Sequence, residues 1–314
     1  MTMFCILAVD FTPFPRELAK TETFGMSLMD LGVGAVIFSM GLTSDRFWQQ
    51  PNYLGKAVRS SLVTLGIGMG RLAAIKLTNY HEHESEYGRH WNFFLTLALV
   101  PILVAVAKGF TSRFLLLAML FESVKSLLNH KCALEEYIMS SADRIGLLQL
   151  NREGVYSTLG YFSIYLVSSY IGRGINRFKV PAQWRRFATR LVSVALVSTL
   201  LGALSWYSSS MEYAPSRRCA NTPYVLWTVA ICSWQLLFLF WLEWHYGHFA
   251  VKNDLLDLIS RHQLALFLIA NVLTGLINIK FQTLLMNTLQ THIVLTAYLL
   301  LLCFLAKTLD KFSL

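Results

Sequence analysis

An apolar run, Ile6-Leu7-Ala8-Val9, ends on Asp10. Phe11-Thr12-Pro13-Phe14-Pro15-Arg16 follows, with Lys20 ten positions beyond the acid. A second acid, Asp30, lies within the next apolar run, Phe24 to Leu42. Ionisable side chains at membrane-length apolar segments are costly unless paired, and they mark functional sites. Pro13 and Pro15 each lack an amide hydrogen and restrict the residue before them, so the chain must turn after Asp10. Asp10 and Lys20 then flank one turn and can meet. A carboxylate held by an ammonium group can act as a general base toward a hydroxyl. An interfacial ion pair that anchors the turn is the other reading. For Asp30, followed by the small residues Gly32 and Gly34, the alternatives are a substrate-facing acid and a buried structural carboxylate at a close helix contact.

Three further polar constellations interrupt apolar sequence. In His90-Trp91-Asn92, a histidine that can move a proton and an amide that can donate to a developing oxyanion stand where a loop enters a span. Helix capping is the alternative. In Asn151-Arg152-Glu153-Gly154, a guanidinium can grip anionic oxygens with two prongs; an Arg-Glu bridge that seats the loop is the plainer account. Asn271, Thr274 and Asn278 fall on one helix face beside Gly275, as residues lining a cavity or as hydrogen-bonding glue between helices. His81-Glu82-His83-Glu84 has two histidines two apart, but no third ligand follows at helical spacing. It reads as a solvated loop rather than a metal site.

The elements that position these residues are membrane helices. The chain has 314 residues, 55% hydrophobic and only 14% charged, with a mean hydropathy of +0.48. Soluble domains carry about 25% charged residues. The net charge of +9 is spread over short loops between apolar runs, a pattern suited to anionic lipid and not to nucleic acid. The five cysteines are scattered, with no CxxC pair, which argues against a zinc site or a disulfide framework. With about 20 apolar residues per crossing, the expected fold is all-α: a polytopic transmembrane helical bundle in one domain over residues 1–314. It has about nine full spans and an N-terminal partial span at Met3–Val9. The full spans are Phe24–Leu42, Ala57–Ile75, Asn92–Ala107, Phe114–Leu128, Ser157–Ile175, Leu191–Trp206, Tyr224–Trp241, Leu264–Ile279 and His292–Leu305. Glu122 and Lys125 fall inside the fourth of these at i, i+3, where they can pair. The loop richest in basic residues, Arg173 to Arg190, including Arg177 and Lys179, is placed in the cytosol. Alternation then puts Asp10, Lys20, His90 and Arg152 on the opposite face.

Five stretches in order resemble the GPI-anchor inositol acyltransferase family of the endoplasmic reticulum: Ile6–Gly34, EYGRHWNFFLTL from Glu86, NREGVYSTLGYFSIYL from Asn151, NTPYVLW from Asn221 and NVLTGLIN from Asn271. Against that family the chain reads as short at its N-terminus, and it has Arg16-Glu17 where two basic residues are expected. The resemblance implies transfer of a fatty acyl group, typically palmitoyl, from acyl-CoA to the inositol ring of glucosaminyl-phosphatidylinositol. Acyl-CoA is a co-substrate, and neither a cofactor nor a metal is expected. The implied location is the endoplasmic reticulum membrane, with the lipid bilayer as partner. Asp10 and Lys20 are the expected catalytic pair. Asp30, His90, Asn92, Arg152, Glu153, Asn271 and Asn278 are the expected substrate-binding set, with Arg152 toward a lipid or CoA phosphate. No Ser or Cys sits beside a clear base, so direct transfer is expected rather than an acyl-enzyme. A lipid-binding or transport protein, or an inactive short form of the acyltransferase, is the alternative.

Overall fold

The computed structural model describes residues 2–78, 86–140, 144–173, 181–208, 214–246 and 254–312. Among these the secondary structure is helical, with no strand. The helices are α1 (Thr2–Ala8), α2 (Leu31–Leu42), α3 (Asp45–Trp48), α4 (Tyr53–Thr78), α5 (Phe93–Phe110), α6 (Phe114–Cys132) and α7 (Leu134–Met139). They continue as α8 (Leu147–Leu150), α9 (Arg152–Gly172), α10 (Pro181–Ser208), α11 (Thr222–Tyr246), α12 (Asp254–Arg261), α13 (Gln263–Lys280) and α14 (Thr288–Phe312).

Every expected span overlaps a helix, though Phe24–Leu42 is helical only from Leu31, and the count of nine crossings is not established. Five helical stretches among the described residues are long and apolar enough to cross a membrane: Phe93–Phe110, Trp184–Tyr207, Thr222–Tyr246, Gln263–Lys280 and Thr288–Lys311. They make this a multi-pass membrane protein. The other helices fall short for visible reasons. α2 is 12 residues long, about 18 Å at 1.5 Å per residue. α4 carries Lys56, Arg59 and Arg71, and α6 carries Glu122, Lys125 and Lys131. α9 is diluted by serine, tyrosine and glycine.

The described residues form two compact units. One comprises Thr21–Met26 and Asp30–Trp241. Its hub is α9, where 17 of 21 residues are buried, and α2, α5, α6, α7, α8 and α10 all pack on it. Small residues permit this. A Cβ at Gly41 of α2 would collide with Ser168 and the Tyr165 carbonyl of α9, and one at Gly160 would collide with the Ala220 carbonyl. Helices enriched in small residues approach closely, and dispersion between them replaces the hydrophobic drive that lipid cannot supply. Trp48 is buried here, donating to Ser44 Oγ at 2.7 Å. The Glu122–Lys125 pair forms as expected, at 2.8 Å.

The second unit comprises Met1–Lys20, Ser27–Met29 and Leu242–Leu314. α1 packs on α13 and α14. Leu7, Phe11, Ala270, Tyr298 and Leu302 form its core. Tyr298 Oη donates to the Met3 carbonyl at 3.0 Å, which satisfies a buried hydroxyl and fastens α1.

Candidate functional site

Asp10 sits in the turn that ends α1, where Asp10 N–H donates to the Leu7 carbonyl at 3.1 Å. The turn is braced by Arg16, whose guanidinium donates to the Val9 carbonyl at 2.9 Å and the Phe11 carbonyl at 3.3 Å, on either side of the acid. Arg16 thus holds backbone, a role its position in the sequence did not announce. The prolines turn the chain as expected, and a short 3₁₀ turn, Arg16–Leu18, follows.

Asn278, near the end of α13, donates from Nδ2 to Asp10 Oδ2 at 2.8 Å. Burial raises the Asp10 pKa above the ordinary carboxylate value, opposed by the Asn278 hydrogen bond and by the positive charges of Arg16 and Lys20. Lys20 is therefore an electrostatic neighbour of the acid, and its chain position is exposed. A carboxylate so placed is a base poised above its solution strength.

An open groove of about 720 Å³ begins at this turn. Ala8 and Pro13, on either side of Asp10, line it together with Phe14, Leu18, Leu28 and Leu295. Its walls are overwhelmingly apolar. Its size falls in the roughly 300–1,000 Å³ range of small-ligand sites.

The polar face of α13 divides. Asn278 reaches Asp10, but Asn271 Nδ2 donates to Phe267 O at 2.7 Å and Thr274 Oγ1 to Ala270 O at 2.9 Å, both within their own helix. Thr274 also has a side-chain hydrogen bond with Tyr298 of α14, an inter-helix contact of the kind its spacing suggested.

The remaining candidates lie in the unit around α9. Asp30 is not one turn into a helix; it occupies the N-cap position of a shortened α2 and is fully buried. Its carboxylate accepts from Arg217 Nε at 2.9 Å, from Thr21 Oγ1 at 2.9 Å and from Thr21 N at 3.2 Å. Tyr224 Oη donates to the Asp30 carbonyl at 2.8 Å. Arg217 also pairs with Glu86 at 3.3 Å. Burial works against the Arg217 cation, but the charges of Glu86 and Asp30 outweigh it and hold its pKa above the ordinary value. This network ties residues 21–30 to the loop before α11.

Asn92 is the N-cap of α5. Its Oδ1 accepts from Phe94 N at 3.0 Å and Leu95 N at 3.2 Å, and its Nδ2 donates to Gly68 O of α4 at 2.9 Å. Both ends of the amide are engaged in holding helices. His90 is half-buried, and its backbone N–H donates to Asn151 Oδ1 at 2.8 Å. Gly88, two residues earlier, has φ +99°, and a Cβ there would press on the Leu150 carbonyl and Asn151. That left-handed, tightly packed position explains the glycine in Glu86-Tyr87-Gly88-Arg89-His90.

Arg152 and Glu153 open α9 instead of preceding it. Glu153 is fully buried and clasped by Arg144 at 2.7 and 3.0 Å and by Arg218 at 2.9 Å. Arg152, its sequence neighbour, stands off at 4.0 Å, donates to the Ser140 carbonyl and lies over the Tyr137 ring, 5.2 Å from its centre. Arg144, Arg217 and Arg218 had no signal in the sequence beyond an Arg-Arg pair between two apolar runs. The His81–Glu84 segment and the basic residues Arg177 and Lys179 lie outside the described residues. Among the described residues, no group of three or more His, Cys, Asp or Glu is placed to hold a metal.

Two features define the class: apolar helices able to cross a bilayer, and a hydrogen-bonded acid in a turn whose flanking residues, Ala8 and Pro13, line an apolar groove. The helices mark a multi-pass membrane protein. The chain belongs to the GWT1 family, whose sequence profile matches residues 1–309. It is 35% identical to GPI-anchored wall transfer protein 1 of Debaryomyces hansenii, over 100% of this chain and 72% of that protein. It is 36% identical to the Schizosaccharomyces pombe protein of the same name, over 99% and 70%. Similarity extends to the phosphatidylinositol-glycan biosynthesis class W protein of Dictyostelium discoideum, at 34% identity over 98% and 71%. The family resemblance read from Ile6–Gly34 and the four later stretches is thereby borne out.

Proposed function

We propose that the protein acts in GPI-anchor biosynthesis, in the endoplasmic reticulum membrane. It transfers a palmitoyl-type acyl group from acyl-CoA to the inositol ring of glucosaminyl-phosphatidylinositol. The names of its relatives support the pathway. The observation that carries the chemistry is Asp10, half-buried, hydrogen-bonded by Asn278 and placed at the apolar groove.

Asp10 takes the proton of the inositol hydroxyl as that oxygen attacks the thioester carbonyl. The new C–O bond forms, the C–S bond breaks, and the coenzyme A thiolate leaves and recovers the proton from Asp10. Lys20 orients the carboxylate and offsets the negative charge that develops on the carbonyl oxygen. The groove holds the acyl chain; burial of each methylene contributes about 0.8 kcal/mol, so the chain supplies most of the donor's affinity.

The test is conversion of palmitoyl-CoA and glucosaminyl-phosphatidylinositol by the purified chain in lipid nanodiscs, read by mass spectrometry. One inositol-acylated product per coenzyme A released supports the reading. Coenzyme A release without an acylated lipid, or no turnover at all, contradicts it.

A further inference from the structure

Among the described residues, charge does not balance at the start of α9. Three arginines, Arg144, Arg152 and Arg218, gather on the single carboxylate of Glu153. Buried ions cost several kcal/mol each unless opposite charge and hydrogen bonds compensate them. Glu153 cannot do this for all three. Its oxygens accept from Arg144 and Arg218, leaving Arg152 at 4.0 Å. The Arg152 side chain is only 5% exposed, yet its Nε and Nη1 find no hydrogen-bond partner, and neither does Nε of Arg218. Nearly all buried polar groups in folded proteins are paired. Three orphaned guanidinium N–H groups around an excess of positive charge describe a site for an anion with several acceptor oxygens. A phosphate group has that geometry.

The surroundings say where the phosphate comes from. Arg144, the most accessible of the three at 19%, is followed by Ile145, Leu147 and Leu148, which are 80%, 72% and 75% exposed. Three large apolar side chains presented outward together on a membrane protein belong in lipid. They set the arginines at the depth of the headgroups, where basic pockets bind lipid phosphates.

We propose that Arg144, Arg152 and Arg218, neutralised in part by Glu153, bind the phosphodiester of a membrane glycerophospholipid, with Ile145, Leu147 and Leu148 contacting its acyl region. Such a site lies in the unit around α9 and does not rest on the acyltransferase reading. Phosphate binding is measured without acyl transfer, so the two can fail separately.

The experiment titrates dihexanoyl-phosphatidylinositol into the purified full chain in phosphate-free detergent, read by ³¹P line broadening. The expected result is saturable binding that weakens at least tenfold in Arg144→Gln and Arg152→Gln, is only partly restored in Arg152→Lys, and is not competed by dihexanoylglycerol. Circular dichroism verifies folding. Should Arg152→Gln not fold, Arg144→Gln decides alone, since it leaves the Arg218–Glu153 pair intact. Equal binding by folded wild type and Arg144→Gln overturns the proposal. Binding of coenzyme A through these arginines, with no binding of the lipid, overturns it as well.

Discussion

Asn278 and Asp10, 268 positions apart, share a 2.8 Å hydrogen bond from the Asn278 amide to the Asp10 carboxylate. The bond favours the ionised acid, whereas burial favours the protonated one, and burial wins. The balance keeps Asp10 a stronger base than a solvated aspartate while still holding its orientation.

Asn278→Ala removes an influence that lowers the Asp10 pKa. The pKa rises further, and a larger fraction of the acid is protonated at a given pH. Because the base works deprotonated, activity is lost as pH falls through that pKa, and the loss begins at higher pH in the variant. The acid limb of the kcat/KM profile should move to higher pH, with the loss of activity greatest on its acid side. An unmoved limb would separate Asn278 from the base.

Asn92 and His90 should part company. Asn92→Ala removes the α5 cap and the bond to Gly68 O, so thermal stability falls by about 1–2 kcal/mol. Activity per folded molecule should change little. His90→Ala keeps the backbone bond to Asn151, so a kcat loss without a stability loss would place its ring in the reaction.

Asp30 and Arg217 are a buried pair with added hydrogen bonds to Thr21. Removing either partner takes a counter-charge from a buried ion, a change that costs up to about 3–5 kcal/mol. Asp30→Ala and Arg217→Ala should each sharply lower the yield of folded protein. The double variant should recover part of the loss in a thermal-unfolding cycle, because the two buried charges are removed together. Strict additivity would show that the pair is not coupled.

Gly160→Ala forces a methyl group against the Ala220 carbonyl. Overpacking of this kind costs about 1–3 kcal/mol. Ala220 already has φ +42° and little room to retreat. The unfolding temperature should fall, while Gly275→Ala, where a Cβ meets nothing, should leave it unchanged.

Helix positions were legible because apolar runs and breakers are local properties. The turn at Pro13 and Pro15 and the Glu122–Lys125 pair were local too, and both formed. Span counting failed to close because crossing a bilayer depends on what faces lipid. α4 is helical through its length yet too basic for the length and apolarity required, and α2 is shortened by Asp30 turning back on Thr21. The site was legible only in part. Asp10 and Lys20 stood out as charges at an apolar border. Asn278, which bonds Asp10, was visible only as one of three polar residues on a helix face, with nothing to tell it from Asn271. Arg217 and Arg218 are paired by contacts 65 or more positions away. No local pattern encodes such pairs.

The most direct test follows transfer of labelled palmitoyl from palmitoyl-CoA to glucosaminyl-phosphatidylinositol in membranes lacking the endogenous activity. The unmodified chain is compared with Asp10→Asn and Lys20→Met at equal expression. General-base catalysis contributes about 10²–10⁴-fold. The account therefore predicts at least a hundredfold loss in Asp10→Asn and a comparable loss in Lys20→Met, with both proteins folded. Turnover by Asp10→Asn at or near the unmodified rate would contradict it.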